Sequence, residues 1–349
     1  MKGIGKGILI VLLMISVCML GTVSLTTEQV EAKAKPKISK KSVFIAKGGS
    51  QKITVKGGKA KKWTIQNNGV AKISKKTKKS ATIVPVKAGT TVLTCKVKGK
   101  KFKCKVRVLN NSVGSTDDLS GGKNGHYSLV VGDSWNEGYT AEGPLELQGL
   151  EYDANRAKVT HSVSNQSNGN VKLNLTLKAL KPGHFDLNAR YIDHGVQEYD
   201  NLGSFTIING FRGKAKAKKT NKNYKAWRTK TINSMANANM TTWQMVDAIG
   251  YLISTGKYSS KGGATGKQLW YGGNGTCVSG ANMMNDFMKD LGISSKIHFM
   301  GKSRGATDIN GYYIMYASQH KNTWIKLGGK RYELNAQPGA WWPVGVVRR

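Results

Sequence analysis

Three residues far apart in the chain, Cys277, His320 and Asn335, have the side-chain types of a thiol acyl-transfer centre. A thiolate nucleophile needs a base to take its proton, and the base needs a third group to hold its ring. Cys277 stands in Thr276-Cys277-Val278-Ser279-Gly280-Ala281, directly after a glycine-rich stretch from Gly262 to Gly275. Val278, Ala281, Met284, Met288 and Leu291 then recur at helical spacing up to Gly292, which places the cysteine at the N-terminal end of a buried helix. Free backbone N–H groups and the helix dipole at such an end favour a thiolate, and the glycines upstream leave the sulfur approachable.

The base and its orienting group fall on a hairpin. His320 opens a strand, Gly328-Gly329 makes a two-residue turn, and Tyr332-Glu333-Leu334-Asn335 returns. Counting outward from that turn, His320 faces Gln337 and lies diagonal to Asn335 on one side of the sheet, with roughly 7–8 Å between diagonal backbones. The arrangement allows Cys277 to attack a carbonyl, His320 to shuttle the proton and Asn335 to fix the imidazole. The backbone N–H of Cys277 or Val278 would bind the oxyanion, with Gln268 and Tyr271 as candidates for a second donor. Upstream, Thr241 with Gln244 has the form of a capping box, and Met245, Ala248, Ile249, Leu252 and Ile253 follow on one face of a packing helix.

Composition bounds what surrounds this centre. The 349 residues carry 55 Lys and Arg against 19 Asp and Glu, a formal charge of +36, yet 39% hydrophobic content with 8 Trp and 13 Tyr is too apolar for a disordered polycation. The charge is blocked: +23 over residues 35–111, which contain no acid at all, −5 over 112–211 and +17 over 212–349. Such blocks mark modules with different surroundings. Lys2 and Lys6 precede an apolar run from Ile8 to Leu20, shorter than the roughly 20 residues a spanning helix needs, and small-residue sites end at Ala32 and Ala34. Residues 1–34 therefore read as a secretory signal peptide.

Residues 35–111 are built of short β-branched runs broken by Gly48-Gly49, Gly57-Gly58 and Gly89. The ordered features Ile38-Ser39, Gly48, Trp63, Val70-Ala71-Lys72-Ile73, Ala88-Gly89-Thr90 and Cys104-Lys105-Val106-Arg107-Val108 resemble the bacterial Ig-like domain of group 2. A two-residue turn at Gly99-Lys100 would set Cys95 opposite Cys104, either as a disulfide of an exported protein or as two separate buried thiols. With that pair closed and Cys18 removed with the signal, Cys277 would be the one free thiol. Residues 112–211 read as a second Ig-like sandwich: Val171, Leu173, Leu175 and Leu177 alternate with polar residues, as do Phe185, Leu187, Ala189 and Tyr191. Residues 212–225 form a basic linker.

The last segment, 226–349, resembles the transglutaminase-like superfamily over about Met240 to Pro338. Gly275-Thr276-Cys277-Val278-Ser279-Gly280-Ala281 through Leu291-Gly292-Ile293 looks like that family's nucleophile helix. His320 and Asn335 have its His-to-Asp spacing, and Lys326-Leu327-Gly328-Gly329-Lys330-Arg331-Tyr332 matches its hairpin. The resemblance implies a multidomain protein of two all-β Ig-like sandwiches followed by an α+β papain-like domain, with Cys277, His320 and Asn335 as triad. Two departures stand out: Asn335 replaces the family's Asp, and Asn322 stands where an aromatic is usual.

The function expected is a secreted, cell-wall-associated thiol enzyme acting on amide bonds through a thioester. A glutamine or peptide amide would be the donor and an amine or water the acceptor, which leaves transglutaminase and protease both open. The alternative is a non-catalytic envelope-binding or adhesion protein. No cofactor or metal is implied, because neither C-x-x-C nor H-E-x-x-H occurs and His126, His161, His184 and His194 lack ligand spacing. The acids Asp247, Asp286, Asp290, Asp308 and Glu333 make no evident pair for glycoside hydrolysis. The basic N-terminal module suits anionic cell-wall polymers, with no specific nucleic acid partner, and a monomer is expected.

Overall fold

The computed structural model describes residues 35–119, 126–211, 219–307, 313–316 and 319–346. The expected signal peptide over 1–34 and residues 212–218 of the expected linker lie outside the described residues.

The first module has strands β1 (Lys37–Ile38), β2 (Ser42–Ile45), β3 (Gln51–Lys56), β4 (Ala60–Ile65), β5 (Ala71–Lys76), β6 (Ser80–Pro85), β7 (Gly89–Val97) and β8 (Lys100–Val108). They form two sheets, β1-β3-β6-β5 and β2-β8-β7-β4. Alternation puts Ile53 and Ile83 of one sheet against Leu93, Val97 and Val106 of the other, all buried, while the intervening lysines face water. Each such side chain contributes about 1.5–3 kcal/mol on burial. Trp63 closes the core and donates its indole N–H to the carbonyl of Thr77 at 2.9 Å.

The cysteine pairing differs from the expected one. The turn falls on Lys98 and Gly99, with φ of 45° and 80°, so Cys95 pairs with Phe102 and Cys104 with Leu93. Two left-handed residues make a type I′ turn, whose twist suits a hairpin, and glycine takes its second position rather than its first. Cys95 and Cys104 are separate buried thiols. Cys277 is consequently one of three free cysteines among the described residues.

The second module has β9 (His126–Val130), β10 (Ser134–Glu142), β11 (Leu145–Glu151), β12 (Ala157–Asn165), β13 (Asn170–Ala179), β14 (Gly183–Asp193) and β15 (Val196–Ile208). Its sheets, β10-β13-β12 and β11-β14-β15-β9, meet over Leu175, Leu177, Leu187 and Ile207. Phe205 stacks on Tyr127 at 5.0 Å between centroids and meets the edge of Trp135 at 4.9 Å.

The remaining elements are α1 (Asn221–Asn237), α2 (Thr242–Ser254), β16 (Lys257–Gly263), α3 (Gly266–Gly272), β17 (Asn274–Gly275), α4 (Cys277–Leu291), β18 (Ser294–Phe299), β19 (Arg304–Thr307), β20 (Tyr313–Tyr316), β21 (Lys321–Leu327), β22 (Lys330–Gln337) and β23 (Ala340–Val346). Helix α1, capped by Thr220, takes up the end of the stretch read as linker. Thr241 and Gln244 close the capping box that starts α2. Strands β18-β21-β22-β23 form one sheet, on which α2 and α4 pack.

An α+β papain-like domain at the C-terminus is not what this region forms. Among the described residues strands predominate, and the four α-helices all lie between Asn221 and Leu291. From Ser294 onward β-branched and aromatic alternation, with a Gly-Gly turn at 328–329, gives strands alone among the described residues. Nor do the helices enclose a separate core. Ile249, Phe287 and Met288 share one apolar cluster with Ala46 and Leu109 of the first module and with Val130 and Ile208 of the second.

Polar contacts reinforce that shared core. The C-terminal carbonyls of α4 are met by the first module, in addition to the Gly292 cap: Ala46 N–H donates to Leu291 O at 2.8 Å, Ser50 N–H to Gly292 O at 2.7 Å and Gln51 Nε2 to Lys289 O at 3.0 Å. Asn110 Nδ2 donates to Met240 O at 3.0 Å, and Tyr251 of α2 donates to Asp133 of the second module at 3.0 Å.

Candidate active site

Cys277 is the first residue of α4, and the strands β16 and β17 set the chain's approach to it. A Cβ at Gly275 would stand 2.1 Å from Ser279 Oγ. With glycine there, Ser279 accepts from Thr276 N–H at 2.9 Å and donates to Thr276 O at 2.8 Å, which fixes the turn just before the cysteine.

Two contacts hold α4 against the β21–β22 hairpin. Thr323 Oγ1 donates to Ala281 O at 3.0 Å, and Gly280 lies so close to β22 that an added Cβ would meet Ala336 O at 2.3 Å. The hairpin register, Thr323 with Leu334 and Leu327 with Lys330, is the one a two-residue Gly328-Gly329 turn imposes. Strand β21 begins at Lys321, and His320 stands one residue before it, tied to the neighbouring strand by Met300 N–H donating to His320 O at 2.9 Å.

The three site residues come together. His320 Nε2 and Asn335 Oδ1 are 2.8 Å apart, with Asn335 fully buried and His320 nearly so. With Nε2 donating to the amide oxygen, Nδ1 is left to face the Cys277 thiol, with which His320 is hydrogen-bonded. Burial pushes the Cys277 thiol pKa up. Hydrogen bonding by His320, the backbone N–H groups of Lys321 and Val278, and attraction to His320 outweigh that, so the net shift is downward. The sulfur is half-buried, so it is both tuned and reachable. Val278 supplies one of the N–H groups expected at the helix start, whereas Lys321 has no sequence motif: only the turn of β21 past the thiol brings it there.

The candidate second oxyanion donors, Gln268 and Tyr271, both belong to α3. Gln268 Oε1 accepts from Thr265 N–H at 3.0 Å and from Thr265 Oγ1 at 2.8 Å, closing the cap of α3. Tyr271 packs beside Trp270, with the Lys219 ammonium 5.3 Å from its ring centre.

Sequence reasoning also missed a buried polar pair beside the triad. Glu333, two residues before Asn335 and on the same face of β22, accepts from Asn322 Nδ2 at 2.5 Å and from Trp324 Nε1 at 3.2 Å. Asn322, the departure from the family pattern, thus serves as partner to a buried carboxylate. Asn335 Nδ2 and Asn322 Oδ1 are buried without a hydrogen-bond partner among the described residues. The remaining described acids of this region are engaged structurally. Asp247 accepts from Trp341 Nε1 at 2.9 Å, and Asp286 and Asp290 pair with Arg228 at 3.6 and 2.7 Å. Asp308 lies outside the described residues.

No protein-family model and no curated protein matches this chain. Among solved structures, domains 5–6 of the S-layer protein SbsC align at 16% identity over 50% of this chain and 97% of their own length, with a TM-score of 0.20. A longer SbsC structure aligns at 13% identity over 90% of this chain and 40% of its own, with a TM-score of 0.18. An endo-fucoidan hydrolase of glycoside hydrolase family 107 aligns at 14% identity over 51% and 30%, also at 0.18. At these TM-scores the alignments carry no argument about fold or activity.

Proposed function

We propose that the protein is an exported, cell-wall-associated thiol enzyme of transglutaminase-like chemistry that acts on amide bonds through a Cys277 thioester. The observation that supports this most is the hydrogen-bonded series Cys277–His320–Asn335 at the start of α4, with the thiol pKa lowered despite burial. His320 accepts the thiol proton as the sulfur attacks the amide carbon, and returns it to the nitrogen leaving as ammonia or amine. The C–S bond forms first to give a tetrahedral oxyanion, whose collapse breaks the C–N bond and leaves the thioester. A second amine, or water, then attacks the thioester while His320 takes its proton, and the thiol is regenerated. Asn335 holds the ring with Nδ1 toward sulfur but is neutral, so the imidazolium is not offset by the third residue itself. Substrates are proteins or peptides bearing a glutamine side chain or an accessible peptide amide. Anionic wall polymers hold the enzyme through its basic first module.

The test incubates the mature protein with a glutamine-containing peptide and a primary amine, and follows ammonia, amine adduct and free acid by mass spectrometry. Adduct or acid formed by the wild type and absent with Cys277→Ala supports the reading. A protein that binds cell walls but turns over neither product, and whose Cys277→Ala variant is indistinguishable from it, is an adhesion protein instead.

A further inference from the structure

A cleft of about 540 Å³ opens where the first module meets α1 and the C-terminal end of α4. That volume is within the roughly 300–1,000 Å³ of small-ligand sites. Six cations line it: Lys40, Lys41, Lys105 and Arg107 from the module, Lys225 from α1 and Lys289 from α4. Among the described residues none of the six is ion-paired, and the single acid in the wall, Asp290, is already neutralised by Arg228 at 2.7 Å. Like charges gathered in a concave wall repel one another and focus a positive potential, and an anion relieves that.

The floor is rigid. Gln51 is nearly fully buried; it accepts from Lys40 Nζ at 2.6 Å and donates to Phe44 O at 3.2 Å and Lys289 O at 3.0 Å, locking module and helix end together. Arg107 reaches across to α1, where its guanidinium is held by the side-chain oxygens of Asn233 and Asn237. Its planar fork, the device that grips carboxylates in two parallel bonds, is thereby occupied. What remains facing the cleft is a set of ammonium point charges, with the hydroxyls of Ser39, Ser42 and Thr229 nearby. Point donors converging from several directions match the tetrahedral oxygens of a phosphate better than a planar carboxylate.

We infer that this cleft is the docking site for a linear phosphodiester polymer, which lies between the first module and α1 and so fixes the catalytic region relative to the polymer. The inference deepens the wall-binding part of the reading above and does not depend on catalysis. The test measures binding of fluorescent poly(glycerol phosphate) to the full mature chain from low to moderate salt. Lys41→Gln/Lys105→Gln/Lys225→Gln removes three cleft charges. Lys72→Gln/Lys76→Gln/Lys79→Gln removes three exposed charges of the same module away from the cleft. All are surface changes, so unfolding temperature and the Cys277 alkylation rate should stay constant in both variants.

The expected result is a loss of at least about 30-fold in affinity, and a shallower salt dependence by about two to three released ions, for the cleft variant, with under about threefold for the control. Poly-L-glutamate of matched charge should bind the wild type at least about tenfold more weakly. Equal losses in the two variants would overturn the cleft while leaving diffuse wall binding intact. Equal affinity for poly-L-glutamate, or displacement of the polymer by inorganic phosphate at equal phosphate concentration, would overturn phosphodiester-polymer recognition. No binding of wild type to any polyanion would overturn both the cleft and the wall-binding reading.

Discussion

Cys104 and Cys277 show how far position decides the chemistry of one side chain. Cys104 lies inside the first sandwich, opposite Leu93 and in the apolar cluster that includes Val106 and Trp63, and burial raises its thiol pKa to about 11. Its neighbour Cys95 is raised for the same reason. Cys277 is also partly desolvated, but it sits where a helix offers unspent N–H groups and a hairpin delivers an imidazole, and its pKa is lowered. The sandwich gives its cysteines apolar contacts and no donor strong enough to favour the anion. The thiol pKa falls here through three directed donors, His320 and the N–H groups of Lys321 and Val278, rather than through the cysteine being free.

The largest effect expected from breaking this contrast is on Cys277 itself. Cys277→Ala should remove all rapid iodoacetamide labelling of the native protein at pH 6.5 as well as any amide turnover. Cys95→Ala with Cys104→Ala should leave both unchanged, as intact mass would show. Next is the base: His320→Ala should slow labelling at pH 6.5 by up to about 10²-fold, because a thiol returned to its ordinary pKa near 8.5 is only about 1% thiolate there. Gly280→Val should reduce labelling comparably but by displacement, since its side chain would enter the backbone of Ala336. Overpacking of this kind costs about 1–3 kcal/mol, and His320→Ala, which leaves the buried Asn335 amide unpartnered, should lower denaturant midpoints by a similar amount. The two are told apart by pH: labelling of Gly280→Val should fall at all pH values and that of His320→Ala mainly at low pH. Asn335→Ala should be milder, about tenfold in labelling at pH 6.5, because the ring is still present but no longer held.

The smallest effect is on stability against pH, and the two regions contribute with opposite sign. Cys104, raised in the folded state, stabilises fully below its unfolded pKa near 8.5 and loses that contribution as pH rises through about 11. Cys277, lowered in the folded state, contributes fully above its unfolded pKa and loses that contribution as pH falls through its folded value. Cys104→Ala should lower urea midpoints by a packing offset that is constant from pH 6 and changes only at the alkaline end, whereas the pH-dependent part of the Cys277→Ala effect should appear only at the lower end.

The two hairpins differ in how closely their glycines fix the register, and the cause is physical. In β21–β22, Gly328-Gly329 are the only glycines between the strands, both with positive φ, so register and the His320–Asn335 approach were readable from the chain. In β7–β8, Lys98 takes a left-handed conformation ahead of Gly99, which moves the turn by one residue and carries Cys104 away from Cys95. The capping box at Thr241 and the apolar stripe behind Cys277 were equally legible, being local. What depends on contacts between modules was not. The apolar cluster that joins helices to both sandwiches rests on side chains distant in sequence, and so does Gln51's grip on α4. Without them, the helical segment looked like a domain of its own. Lys321 N–H, a backbone donor, has no sequence signature, and Glu333, visible in the sequence as an acid without a carboxylate partner, gives no sign there of its pairing with Asn322.

The most direct test of the central claim is the pH dependence of Cys277 alkylation in the native mature protein, followed by intact mass and peptide mapping. Labelling of Cys277 alone, half-maximal well below the free-thiol pKa of about 8.5 and shifted upward in His320→Ala, is the predicted result. Labelling that rises only near 8.5, or that reaches Cys95 and Cys104 at the same rate, would contradict it.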